Sequence, residues 1–117
     1  MKRIIPLVTI ALTIFMASCK CKNEDPRARV VNEGSQEISV QIMTSGGNTE
    51  NINNIAPGET SEFSYYAPGE VQFTIVVGEG NNSTEYVEQV LMEECYEYDI
   101  VLDANNNITS VPTDRNE

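Results

Sequence analysis

The chain has 117 residues, with 18 Asp or Glu against 7 Lys or Arg and a net charge of −11. Nucleic-acid binding needs a basic face that displaces counterions, and this balance excludes it. Histidine is absent, which removes Ser-His-Asp and Cys-His catalysis and the usual zinc sites.

The chain opens with Lys2 and Arg3, then an apolar run from Ile4 to Phe15, then Met16-Ala17-Ser18-Cys19. Spanning a bilayer takes about 20 apolar residues, so this run is too short, and Pro6, Thr9 and Thr13 interrupt it. A basic start, a short apolar stretch and small residues before a cut site are the three parts of a signal peptide. The segment resembles a bacterial lipoprotein signal peptide, with Met16 to Cys19 as its lipobox. The resemblance implies cleavage between Ser18 and Cys19, a diacylglycerol on the Cys19 thiol and an acyl chain such as palmitate on the new amino group. Several acyl chains anchor firmly, since each buried methylene adds about 0.8 kcal/mol. Lys20 rather than Asp follows the lipidated residue, which in such lipoproteins implies the outer membrane. Asn23-Glu24-Asp25 resembles the acidic stretch of some surface-displayed members, and a plain solvated tether explains it equally well. The domain is therefore expected to face either the periplasm or the cell surface.

This reading divides the chain into a signal at 1–18, a lipidated flexible tether at 19–26, a folded domain at 27–111 and a tail at 112–117. Without Lys2 and Arg3, five basic residues stand against 18 acidic ones, a net of −13. Such a field favours encounter with a cationic partner and also keeps a crowded surface protein soluble. Cys21 and Cys95 remain once Cys19 is lipidated. An oxidising compartment permits a disulfide between them, with a stabilisation of about 2–4 kcal/mol. The alternative is that Cys95 is a buried structural thiol.

Strands are predicted at 27–32, 37–44, 49–55, 60–66, 70–78, 84–92, 95–103 and 107–111. Ile38, Val40 and Ile42 alternate with Ser39 and Gln41, Val71, Phe73, Ile75 and Val77 with Gln72 and Thr74, and Tyr96, Tyr98, Ile100 and Leu102 with Glu97 and Asp99. Period two places each set on one face of a strand. Ala56-Pro57-Gly58-Glu59 and Ala67-Pro68-Gly69-Glu70 carry the Pro-Gly pair of a type II turn. Ser45 to Asn48, Gly78 to Asn82 and Asp103 to Asn107 are the other turns, and Pro112 is expected to stop the last strand. Seven or eight short strands at this spacing predict a single all-β, antiparallel β-sandwich, with a small β-barrel as the alternative. The pattern is similar to immunoglobulin-like or transthyretin-like accessory domains of bacterial surface proteins.

Chemistry-bearing residues are few. The lysines past the signal, Lys20 and Lys22, lie on the tether. Cys95 follows Glu93-Glu94, and anionic neighbours disfavour a thiolate. Asp103-Ala104-Asn105-Asn106-Asn107 matches the opening of a calcium loop, with Asp114 at its twelfth place. Ile108 stands where that loop needs Gly, so an Asn-rich hairpin is the better reading. No metal or cofactor is implied, and no enzyme. Tyr65 and Tyr66 are adjacent in a strand, so one should face outward and offer a binding aromatic. The expected function is a non-enzymatic binding or assembly module whose partner is a glycan or a surface protein. The alternative is an inhibitor or immunity lipoprotein that neutralises a cationic enzyme or toxin.

Overall fold

The computed structural model describes residues 21–116. Ser18 and Cys19, the expected cleavage and lipidation site, lie outside the described residues. Eight strands follow in chain order: β1 (Arg27–Asn32), β2 (Ile38–Met43), β3 (Thr49–Ile55), β4 (Ser64–Tyr65), β5 (Gly69–Val77), β6 (Thr84–Met92), β7 (Tyr96–Leu102) and β8 (Ile108–Asp114). They form two four-stranded sheets, ordered β4-β1-β7-β8 and β3-β2-β5-β6. The fold is the expected β-sandwich, open at its edges, not a closed barrel.

The alternation read from the sequence supplies the core. Ala28, Val30, Tyr98, Ile100 and Leu102 of the first sheet are buried with Val40, Ile42, Val71, Phe73 and Ile75 of the second. Burying each large aliphatic or aromatic side chain is worth about 1.5–3 kcal/mol, so this layer is the main source of stability. Neighbouring strands run antiparallel with one exception. β1 and β7 are parallel, in register from Arg27↔Glu97 to Asn32↔Leu102. β1 and β2 lie in different sheets, whereas the first two strands of an antibody constant domain share one. The layering is immunoglobulin-like and the strand order is not.

Three expected boundaries differ from the structure. The strand read at 60–66 forms a ladder with β1 only at Ser64–Tyr65. Upstream, Thr60 bridges Val31 and the Ser61 N–H donates to the Val30 carbonyl at 2.9 Å, but the Val30 N–H donates to Ser61 Oγ at 2.9 Å, a hydroxyl in place of a carbonyl that interrupts the ladder. The tail read at 112–117 begins too early, since β8 runs through Pro112 to Asp114. β8 is an edge strand, where a proline nitrogen need not serve the ladder. The tether read at 19–26 is docked from Cys21 onward. Pro26 is fully buried, its carbonyl accepts from Tyr66 N at 3.0 Å, and the Glu24 carbonyl accepts from Cys95 N at 2.9 Å.

Asn32 ends β1 in the inward phase and is fully buried. Its Nδ2 donates to the carbonyls of Gln36 at 2.8 Å and Ile55 at 2.9 Å. Its Oδ1 accepts from Gly34 N at 2.9 Å. Its backbone N–H donates to the Glu59 carbonyl and its carbonyl accepts from Gly58 N. One side chain thus fastens the β1–β2 connection to the end of β3 and the turn that follows it. Gly34 fits closely here, as a Cβ would lie 3.2 Å from Asn32 Oδ1. Replacing Asn32 with Leu leaves the buried Ile55 carbonyl without this partner, and also the part-buried Gln36 carbonyl and Gly34 N–H. The expected loss is about 2–4 kcal/mol, read from the urea midpoint at unchanged slope.

Candidate functional site

The sandwich has two dissimilar poles. At one, the sulfurs of Cys21 and Cys95 are bonded, with Cα atoms 5.9 Å apart. Of the two readings open in the sequence, the disulfide is the one the structure contains. Cys95 sits in a left-handed backbone conformation (φ 64°) between β6 and β7. Its N–H donates to Glu24 O, and its carbonyl accepts from Arg115 N at 2.9 Å. The Arg115 guanidinium also pairs with the Glu24 carboxylate. Three separate stretches of chain meet at this residue: the entry to β1, the β6–β7 turn and the exit from β8.

Strand direction places the connections 33–37, 56–59, 78–83 and 103–107 at the opposite pole. Glu33, Glu37, Glu59, Glu79 and Asp103 stand there, and no Lys or Arg occurs between Arg29 and Arg115. Gln36, Glu37, Gly78, Glu79 and Asn82 line a shallow hollow of 560 Å³. Asp103 turns its carboxylate on its own loop: Oδ1 accepts from the N–H groups of Asn105 at 2.8 Å and Asn107 at 2.9 Å. Asn106 takes the left-handed conformation (φ 62°), so the Asn-rich segment is a hairpin turn. Asp114 lies at the far end of β8, a strand's length away.

The two tyrosines part as their alternation requires. Tyr65 is 57% exposed on the outer face of the first sheet, opposite Arg27. Tyr66 is 4% exposed, edge-on to Phe73 at 6.5 Å. Tyr65 is therefore the outward member of the pair, and Tyr66, the other candidate, is withdrawn because its ring is part of the core. Beside Tyr65, Phe63 is packed under two guanidinium groups, Arg27 at 4.4 Å and Arg29 at 4.6 Å from its centroid. Arg27 pairs with Glu97 at 2.7 Å and Arg29 with Asp99 at 2.9 Å. These carboxylate hydrogen bonds raise both guanidinium pKa values. Sequence reading missed Phe63. Its signal was the two-residue spacing from Tyr65, which puts both rings on one face. A second cleft of 390 Å³ runs between β3 and the segment before β4, lined by Asn53, Asn54, Glu59, Ser61 and Glu62 among others.

Comparison with known protein families and with curated proteins finds no match.

Two expectations follow from this geometry. The disulfide closes a separation of 74 residues, so replacing Cys21 and Cys95 together with Ser should cost about 2–4 kcal/mol of stability, measured by urea unfolding. Burial pushes the phenols of Tyr66 and Tyr98 above the ordinary value of 10.0. Both groups bind their proton more tightly when folded. Their contribution is complete below about pH 10 and is lost as pH rises through the higher folded values. Ultraviolet phenolate titration should show a component that ionises above pH 10 and is reduced in Tyr66→Phe and in Tyr98→Phe.

Proposed function

We propose that this chain is a lipid-anchored, non-enzymatic binding or assembly module of the bacterial cell envelope or surface. The observation that carries the reading is the bridge from Cys21 to Cys95. Cys21 stands two residues after Cys19, so a lipid on Cys19 would hold the β6–β7 pole against the membrane. The acidic connections 33–37, 56–59, 78–83 and 103–107 would then point away from it. The described fold supports this role as a rigid spacer with loops at its free end. Tyr65 and Phe63 add an aromatic patch on one flank for a glycan or a surface protein. Extra methylenes in the membrane supply the affinity, because the acidic domain is repelled by anionic lipid.

A second reading is favoured by the carboxylates of the free pole, which form no ion pair among the described residues. Such a field suits an inhibitor or immunity lipoprotein that meets a cationic enzyme or toxin. It requires fast, salt-sensitive association with a basic hydrolase, and an affinity no better than that of an unrelated acidic protein removes it.

The test of anchoring is detergent-phase partitioning of the chain from cells. The chain should enter the detergent phase, and Cys19→Ala should move it to the aqueous phase. An unaltered partition overturns the lipid anchor. Protease added to intact cells then separates the two facings: digestion before lysis assigns the surface, and protection until lysis assigns the periplasm and favours the second reading.

A further inference from the structure

A sheet edge presents unpaired N–H and C=O groups, and natural proteins blunt it with short strands, prolines, bulges or inward charges. Three of the four edges here are blunted by their backbone. β4 pairs over two residues, β8 contains Pro112, and β3 is irregular where it meets β2, with Asn54 at φ 62°. β6 is different. It pairs with β5 from Gly69↔Met92 to Val77↔Thr84 without a break, it has no proline, and its protection rests on one inward charge, Glu88.

The orientation of its backbone is fixed at one end. The Tyr98 hydroxyl accepts from Glu93 N at 2.9 Å and lies 3.4 Å from the Leu91 carbonyl, to which it donates. Those groups therefore point away from β5. Antiparallel alternation turns the N–H and C=O of Gln89, Val87 and Glu85 the same way, and no hydrogen bond receives them among the described residues. The same residues carry their side chains on the outer face, where Leu91 is 67% and Val87 55% exposed. Glu88 has the opposite phase. It shares the inward side with Val90 and Met92, is half-buried, and has no ion-pair partner among the described residues.

Charge selects the occupant. Glu85 and Glu88 lie on β6, Glu70 faces Leu91 across β5, and Glu79 and Glu93 flank the strand. A second copy added antiparallel would set these carboxylates against their own kind, and like charges opposite one another destabilise a strand pair. A neutral strand would cover Glu88 and leave it unpaired. A strand with lysine or arginine at alternate positions presents them on one face; turned inward, one of them meets Glu88, while its apolar residues lie beside the exposed Val87 and Leu91. We propose that the free edge of β6 binds an extended, basic segment of another protein by strand addition, with Glu88 as the selecting residue. This deepens the binding-module reading and rests on it.

The experiment uses the full chain in detergent and a strand-length synthetic peptide of alternating lysine and valine. Binding is read by titration, and the paired region by hydrogen exchange. The peptide should bind and slow exchange across 84–92. The same peptide with alternate amides N-methylated, or with glutamate for lysine, should not. Val87→Pro should abolish binding at an unchanged melting temperature, because the Val87 N–H faces away from β5 and an edge tolerates proline there. Glu88→Gln should weaken binding about threefold and flatten its salt dependence. Absence of binding overturns the proposal. So does equal binding by the N-methylated peptide or by Val87→Pro, which would reduce the effect to charge alone. Protection of 84–92 without peptide, rising with protein concentration, would give the edge to a second copy and overturn the basic partner. None of these readouts depends on the Cys19 lipid. An unanchored chain that takes the peptide sinks the anchoring reading alone, and a lipidated chain that ignores it sinks this proposal alone.

Discussion

The rest of the molecule depends on the parallel pairing of β1 with β7. β1 lies between β4 and β7, and β4 has no other strand neighbour. Remove the β1–β7 ladder and the first sheet falls into a two-residue contact and a lone hairpin. The second sheet is different in kind, because β2–β3 and β5–β6 are hairpins between consecutive strands. What holds β1 to β7 is chiefly the apolar side: Ala28, Val30, Ile100 and Leu102 are all at or near zero exposure. The outer pairs Arg27–Glu97 and Arg29–Asp99 are part-exposed, and such pairs contribute little to stability. They fix register instead, since sliding β1 by one residue would turn both arginines into the core.

Cys95 sits immediately before β7, and Cys21 lies in the segment that leads into β1, so their bridge fastens that segment to the start of β7. The same pole gathers Glu24 and Arg115, so the entry and the exit of the domain are joined where the β6–β7 turn passes. The consequence is a clean separation. The covalent fastening lies at one pole, and carboxylates with no ion-pair partner among the described residues lie on loops at the other. The polar side chain that organises the loop pole, Asn32, belongs to β1 as well.

The sandwich was legible because its strands obey period two and its turns carry Pro-Gly pairs or clusters of Gly and Asn. Val71, Phe73, Ile75 and Val77 all proved to face the core. Failures occurred where side chains carry no trace of the interaction. Residues 21–26 dock through main-chain carbonyls of Glu24 and Pro26, which any sequence offers. The cysteine pairing depends on that docking, so the sequence left it open between a bridge and a buried thiol. Alternation showed that Tyr65 and Tyr66 face opposite ways without saying which is inward. The answer came from register with β1, since Tyr65 lies opposite the outward Arg27. Asn32 was readable in principle, as an amide in phase with Ala28 and Val30.

The β1–β7 pairing also sets an order of events in time. The two strands are 70 residues apart in the chain, and synthesis proceeds at about 5–20 residues per second. β1 is made first among the strands, yet its main partner appears several seconds later. The second sheet can assemble from its hairpins in the interval, while β1 waits with its apolar face open. Closing so long a loop carries an entropic cost before any contact rewards it, and proteins dominated by distant pairings fold slowly. The first strand made is thus among the last to gain its main partner, and it is the one longest exposed to misassembly.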